Sequence, residues 1–331
     1  EKKFNDKHSV NLTAINAQNS RGKSSPNTKE VNDLMGIKYN SYWGWQEGKK
    51  RNSRDKNIQE PMVMLSHYWK INDKNTLNTN VSFQTGTIGN SRLDYQGANS
   101  PDPTYYRNLP SYYLNYHTPA GVWQPNYAQA AQAKDYFLTN SQIDWNAMYV
   151  ANQNSADAGR SVYALYEDRT DDNLLNANML FSSSLSDNIS LNAGTNFRKL
   201  RSHNHQNLLD LLGGQYVLDV DTFYSGDAAQ SDLNNPNRQV REGDTYGYNY
   251  LLHAITFDGF TQFKFTYDKA DFYLAQSFSR TEYQREGLYK NGIYADNSFG
   301  KGKSITFENF GFKGGITYKL NGRNFLDFNG I

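Results

Sequence analysis

Leu175-Asn176-Ala177-Asn178-Met179-Leu180-Phe181-Ser182-Ser183-Ser184-Leu185-Ser186-Asp187-Asn188-Ile189-Ser190-Leu191-Asn192-Ala193-Gly194-Thr195-Asn196-Phe197 reads as two strands around a tight turn. Ala177, Met179, Phe181 and Leu185 alternate with polar residues before Ser186-Asp187-Asn188, and Ile189, Leu191, Ala193 and Phe197 do so after it. A period of two puts one apolar and one polar face on each strand, whereas a helix would need spacings of three and four.

The same grammar recurs on both sides. Residues 62–71 and 77–85 flank Asp73-Lys74-Asn75, residues 246–267 and 271–284 flank Asp268-Lys269-Ala270, and residues 305–320 and 325–331 flank Asn321-Gly322-Arg323-Asn324. With residues 175–185 and 189–197, and an earlier strand over 9–17, nine strands are predicted. Between the pairs run long connections, at 18–61, 87–161, 198–245 and 285–303. Water-soluble sandwiches favour connections of about 4–6 residues. Outer-membrane barrels instead alternate short periplasmic turns with long extracellular loops. A closed barrel also pairs every backbone group in lipid while needing only one apolar face per strand.

Composition agrees. Only 37% of residues are hydrophobic, and 25 of those are Tyr, too few for a large soluble core. Yet 25 Tyr, 18 Phe and 5 Trp are too many rings for a disordered chain. Tyr68, Trp69, Phe265, Tyr267, Phe272, Tyr273, Tyr318 and Phe325 border the short turns, as an interfacial aromatic girdle would. The 34 basic and 33 acidic residues leave a net charge of +1, which implies no nucleic-acid partner. The absence of Cys excludes disulfides and thiolate sites. Local helix signals fall inside the long connections, at 28–35, 127–137, 141–151 and 206–212. The odd strand count, with a strand running at each end, is what the central part of a larger barrel is expected to show.

Motifs for chemistry are sparse. His203-Asn204-His205 spaces two imidazoles on one strand face without a third ligand nearby, so they read as loop histidines. Asp219, Asp221, Asp227 and Asp232 lack the spacing of a calcium loop. Asp171-Asp172 and Glu282 read as solvated charges rather than a glycosidase pair. No phosphate loop or nucleophile elbow occurs, so no catalytic residue, metal or cofactor is assigned. The connection over 87–161 is dense in aromatic rings, and Tyr105, Tyr106, Trp123, Trp145 and Tyr149 are its candidate ligand-stacking residues. The alternative is that such rings pack the loop's own core.

Several stretches match a known family in order: Trp43-Gly44-Trp45-Gln46-Glu47-Gly48-Lys49-Lys50-Arg51-Asn52-Ser53, Glu60-Pro61 leading to His67-Tyr68-Trp69, and Asp102-Pro103-Thr104-Tyr105-Tyr106-Arg107-Asn108-Leu109-Pro110-Ser111-Tyr112. Gln142-Ile143-Asp144-Trp145-Asn146-Ala147-Met148-Tyr149, Gln284-Arg285-Glu286-Gly287 and the run from Lys313 through Phe325 follow. The chain resembles the barrel of Bacteroidetes TonB-dependent receptors, especially the Oar-like, SusC-related type. That resemblance implies an all-β antiparallel transmembrane barrel of roughly 22 strands, of which this chain would hold 9–10, with short helices in its extracellular loops. It also implies an outer-membrane importer of a peptide, glycan or metal chelate, energised by TonB, ExbB and ExbD through a plug domain that is not found here. A SusD-like lipoprotein would be a further partner. The competing expectations are an Oar-like component of surface assembly or secretion, and a secreted carbohydrate-binding β protein.

Overall fold

The computed structural model describes residues 1–330, and its body is one antiparallel sheet of 13 strands. Nine strands build the wall in chain order: β1 (His8–Ile15), β2 (Met62–Lys70), β3 (Asn75–Asp94), β4 (Ala164–Ser186), β5 (Ile189–Asp210), β6 (Thr245–Thr266), β7 (Ala270–Gly287), β8 (Ile305–Lys319) and β9 (Phe325–Gly330). Each pairs with the next, so the wall has no crossover. Short strands at Lys2–Lys3, Asn19–Gly22, Asp55–Gln59 and Gly300–Lys301 add to this sheet.

The short turns are closed by asparagine. Asn72 Oδ1 accepts from the Lys74 N–H at 2.9 Å, and Asn321 Oδ1 accepts from the N–H groups of Arg323 and Asn324 at 2.9 and 3.0 Å. A side-chain carbonyl that satisfies the amide two residues on reverses the chain without help from another element.

Register turns the alternation of single strands into two continuous faces. Leu77 lies opposite Phe181, which lies opposite Ala193; Thr261, Gln276 and Phe312 extend that rung. A second rung joins Val81, Ala177, Phe197 and Phe257. Much of this face is uncovered: Phe257, Phe312 and Phe310 are 47%, 69% and 72% exposed. An apolar surface this wide is not sustained in water. The opposite face carries a polar ladder, in which Asn80 Nδ2 donates to Asn178 Oδ1 at 2.8 Å and Asn196 Nδ2 to Asp258 Oδ2 at 2.9 Å. The apolar face is hereafter the outward face and the polar one the inward face.

Strand length departs from the sequence reading. β4, β5 and β6 have 23, 22 and 22 residues, about twice the 9–11 that cross a bilayer. Residues 206–212 were expected to be helical, but β5 continues through Asp210, and the connection expected to begin at 87 begins after Asp94. The cause is the change of surroundings: beyond the apolar band lipid gives way to water and loop side chains, so Arg198 to Gln206 show no alternation although the ladder runs on.

The girdle divides as well. Trp69, Phe265, Tyr267, Phe272 and Tyr318 share the outward face, and Phe265 stacks on Phe272 at 4.4 Å. Tyr68, Tyr273 and Phe325 fall in the inward register.

Four helices occupy the long connections: α1 (Lys29–Met35), α2 (Pro110–Leu114), α3 (Tyr127–Thr139) and α4 (Trp145–Gln153). Thr28, Asn126 and Asp144 cap α1, α3 and α4 by accepting from Val31, Gln129 and Ala147 N–H groups. Val31, Leu109 and Phe137 close one small core, and Ile143, Trp145, Met148, Leu165 and Leu212 another. Gly44, in a hairpin of Trp43–Gln46 with Lys49–Asn52, admits this layer, because a Cβ there would sit 1.9 Å from the Ile143 carbonyl oxygen. No helix among the described residues is long and apolar enough to cross a membrane.

Asn152 ties these parts together. Its side chain is buried; Oδ1 accepts from the Val162 and Tyr163 N–H groups at 2.8 and 2.9 Å, and Nδ2 donates to the carbonyls of Tyr163, Leu211 and Leu212 at 2.8, 3.0 and 3.0 Å. Asn152→Ala would strand four of these backbone groups, the Leu211 carbonyl keeping the Ser161 hydroxyl at 2.6 Å, so a loss of about 2 kcal/mol is expected. Hydrogen exchange at the Val162 and Tyr163 amides is the measurement; unchanged protection would refute this role.

Candidate functional site

The upper ends of β3 to β7 bring polar and aromatic side chains together on the inward face. Arg92 Nε lies 3.0 Å from Asp168 Oδ2 across the β3–β4 pairing. Asp168 Oδ1 also accepts from Tyr248 OH at 3.2 Å and from Gln206 Nε2 at 3.3 Å. Burial, then the neighbouring Asp168 carboxylate, raises the Tyr248 phenol above its ordinary pKa. Tyr250 follows with its ring 5.8 Å from that of Tyr248, and the Arg285 guanidinium lies 4.9 Å from the Tyr250 centroid. Among the described residues Arg285 has no carboxylate partner within ion-pair distance. It is therefore a cation of this rim with charge left for a ligand.

A bulge shapes the rim. The β5–β6 register slips between His205 and Gln206, and Gly247, at φ +68°, takes a conformation that side chains disfavour. Below the slip, the strands run unbroken to the short turns.

The connection from 211 to 244 packs over the inward side. Its hairpin of Val217–Leu218 with Gln239–Val240 buries Val217 and Val240 against Ala164, Leu208 and Tyr246. Tyr246 meets Tyr166 edge to face at 5.8 Å, and its hydroxyl donates to Asp94 at 3.4 Å. Burial holds the Asp94 carboxyl above the usual carboxylate range. Arg238 clasps the hairpin, donating to Asp219 Oδ2 at 2.8 Å, to Tyr289 OH at 2.6 Å and to the Thr245 carbonyl. Asp219 also accepts from the Gly247 N–H at 2.7 Å, and Asp232 accepts from the Asn234 and Lys290 N–H groups. These aspartates serve the loop's own structure and do not converge as a calcium cage.

The five expected ligand-stacking residues separate into two groups. Tyr105 and Tyr106 meet edge to face at 4.7 Å, and Tyr106 also meets Tyr112 at 5.4 Å. Arg107 Nε donates to Tyr106 OH at 3.0 Å. Tyr105 lines a crevice of about 180 Å³ with Tyr42, Arg54, Tyr95 and Asp102. Trp123 is exposed, its indole N–H bound to the Leu114 carbonyl at 3.0 Å. Trp145 is fully buried, donates its indole N–H to the Arg51 carbonyl at 3.3 Å, and lies under the Arg51 guanidinium at 4.3 Å. Tyr149 packs on the same cluster. In this conformation Trp145 is a core ring with no surface for a ligand. Moreover, α4 packs on Leu93 and Leu165, which have the outward register, so this connection is anchored on the outer side of the wall.

Sequence reading missed Arg92, Asp168, Tyr248, Tyr250 and Arg285. Following the inward positions of each strand past the last apolar rung would have found them. A hollow of about 640 Å³ between Phe181, Phe257, Phe278 and Phe310 lies within the apolar band and is membrane-facing surface rather than a polar ligand site.

His203 and His205 lie in β5, not in a loop, and register sets Asp171 of β4 directly opposite His203. Glu282 accepts from Ser304 on its own edge of the sheet, and no pairing brings it to Asp171.

No protein-family model and no curated protein sequence matches this chain. Solved structures do. The ferric citrate transporter FecA in its unliganded form superposes with a TM-score of 0.50 over 96% of this chain at 6% identity. The chain spans about a third of that transporter, 32% of its length. The ferric-catecholate import receptor Fiu of E. coli K12 in its closed form gives 0.42 at 11% identity, over 95% of this chain and 39% of Fiu. A Pseudomonas aeruginosa FadL homologue gives 0.33 at 13% identity, over 96% of this chain and 55% of the homologue. The fold inference rests on the first: the wall has the antiparallel fold of an outer-membrane β-barrel.

Proposed function

We propose that this chain is part of the barrel of an outer-membrane, TonB-dependent nutrient receptor of the Oar-like, SusC-related type. The observation that carries the reading is the apolar face kept in register from β1 to β9, backed by a hydrogen-bonded polar face. Such a sheet suits lipid on one side and a water-filled lumen on the other. The fold shared with the ferric citrate transporter and the ordered sequence words of the family point the same way. In this reading the wall closes with strands of the parent protein. Membrane lipid contacts the outward face, and TonB, ExbB and ExbD act through the parent's plug. The imported solute would be a peptide, glycan or metal chelate, first met by Arg285, Tyr250 and Tyr248 at the rim and by the exposed Tyr106 and Trp123 above it. A SusD-like lipoprotein would be seated over those loops.

Topology gives the direct test. The chain has no Cys, so single cysteines report cleanly. Lys134→Cys, in the long connection, should react with a membrane-impermeant maleimide on intact cells, and Lys74→Cys, in a short turn, only after the membrane is opened. The reverse pattern would overturn the assignment. Uptake by the full-length parent that persists without TonB would instead favour the surface-assembly reading.

A further inference from the structure

We propose that Asp171, His203 and His205 form a binding site for a first-row divalent transition-metal ion, with Zn²⁺ as the reference occupant. The two imidazoles come from alternate positions of β5 and stack at 4.2 Å between centroids, and Asp171 faces His203 from β4. One donor atom from each residue lies within 4.8 Å of the other two. Metal bonds of about 2.0–2.2 Å would draw such donors to roughly 3.3 Å apart, a side-chain adjustment that leaves the ladder in place.

Two features favour coordination over a chance meeting of polar groups. His205 is only 5% exposed, yet its Nδ1 has no hydrogen-bond partner. A buried ring nitrogen left unpaired is costly unless something binds it. The other two ligands are already oriented by neighbours. His203 Nε2 lies 2.6 Å from Asn249 Oδ1 and donates to it, which frees Nδ1 as a ligand; Asp171 Oδ1 accepts from Arg169 Nε at 2.8 Å, which leaves Oδ2 available. An amide carbonyl behind a histidine and a guanidinium behind a carboxylate are the supports that metal ligands usually have.

Two imidazoles and one carboxylate suit Zn²⁺, Ni²⁺, Cu²⁺ or Fe²⁺ rather than Ca²⁺ or Mg²⁺, which prefer oxygen. Three protein ligands leave a position for water or an external donor. The site has the outward register of Phe197 but lies above the apolar band, where an ion would clamp β4 to β5 outside the hydrocarbon.

The test is Zn²⁺ titration of the full chain in detergent by calorimetry, with Co²⁺ spectroscopy on the same sample. One ion per chain is expected, with at least ~10-fold weaker binding in His203→Ala, His205→Ala and Asp171→Asn. Two other histidine pairings are internal controls: His8 and His67, whose ring nitrogens are 3.0 Å apart, and His253, 3.0 Å from Glu286. His67→Ala and His253→Ala should leave the affinity unchanged. Binding that survives loss of both β5 histidines, or that is lost in His67→Ala instead, would overturn the site. The unsubstituted chain decides the matter even where a variant does not fold. Its Co²⁺ form should show two coordinated imidazoles by electron spin-echo modulation, and a signal from one or none would refute the proposal.

Discussion

Trp145→Ala is expected to destabilise the α4 layer by about 3–5 kcal/mol while leaving the sheet below it paired. The ring is fully buried among Ile143, Met148, Leu165 and Leu212, its N–H is bonded to the Arg51 carbonyl, and the Arg51 guanidinium covers its face. Truncation opens a cavity that backbone held by Asn152 cannot collapse to fill. It also removes the surface that orients Arg51 toward Asp210, at 2.6 Å. This layer is small, so the loss exceeds what it can absorb as local fraying. Hydrogen exchange should show residues 143–153 opening while β4 and β5 near Asp187 stay protected. Equal protection in variant and parent would show that Trp145 is not structural and would return it to the ligand-facing set.

Phe263→Arg is expected to cost about 2–4 kcal/mol in lipid, and Gln262→Arg, one residue away, little. Phe263 has the outward register, opposite Leu191 and Leu274, whereas Gln262 lies opposite Asn192 on the polar ladder. A guanidinium at the first position must snorkel or pull water into hydrocarbon; at the second it enters a solvated lumen. Urea unfolding in lipid vesicles measures both. Equal costs would mean that the two faces see the same solvent, which a membrane wall cannot allow.

How much of this was legible from the chain depends on where solvent imposes a pattern. Between Leu175 and Phe197 lipid demands apolar residues on one face and water permits polar ones on the other, so strand, turn and face can all be read. From Arg198 onward β5 leaves the apolar band and meets water and loop side chains in place of lipid, so the same ladder carries no periodic signature; its extension to Asp210 follows only from pairing with β4 and β6. The girdle was legible by proximity to turns but not by face, since Tyr68 and Trp69 are neighbours that point opposite ways. Trp145 shows a different limit, because a core ring and a stacking ring are the same residue until packing separates them. Asp171 and His203 meet only through register, so a search for a third ligand nearby in sequence could not find it. Sequence words identified the family resemblance without assigning a single contact.

The overhang of the strands has a consequence for how a solute would arrive. A strand of 22 residues rises about 3.3 Å per residue; tilted near 40° and with an apolar band of about 25 Å, it leaves roughly 30 Å standing clear of the bilayer. In the proposed receptor that height forms a stiff vestibule, and its entrance lies well above the lipid surface. A molecule that enters is shielded from sideways escape and collides repeatedly with the rim before it can leave. Capture would then depend on residence time within the vestibule as much as on the strength of any one contact, and the loops above could vary without resetting the depth at which recognition begins.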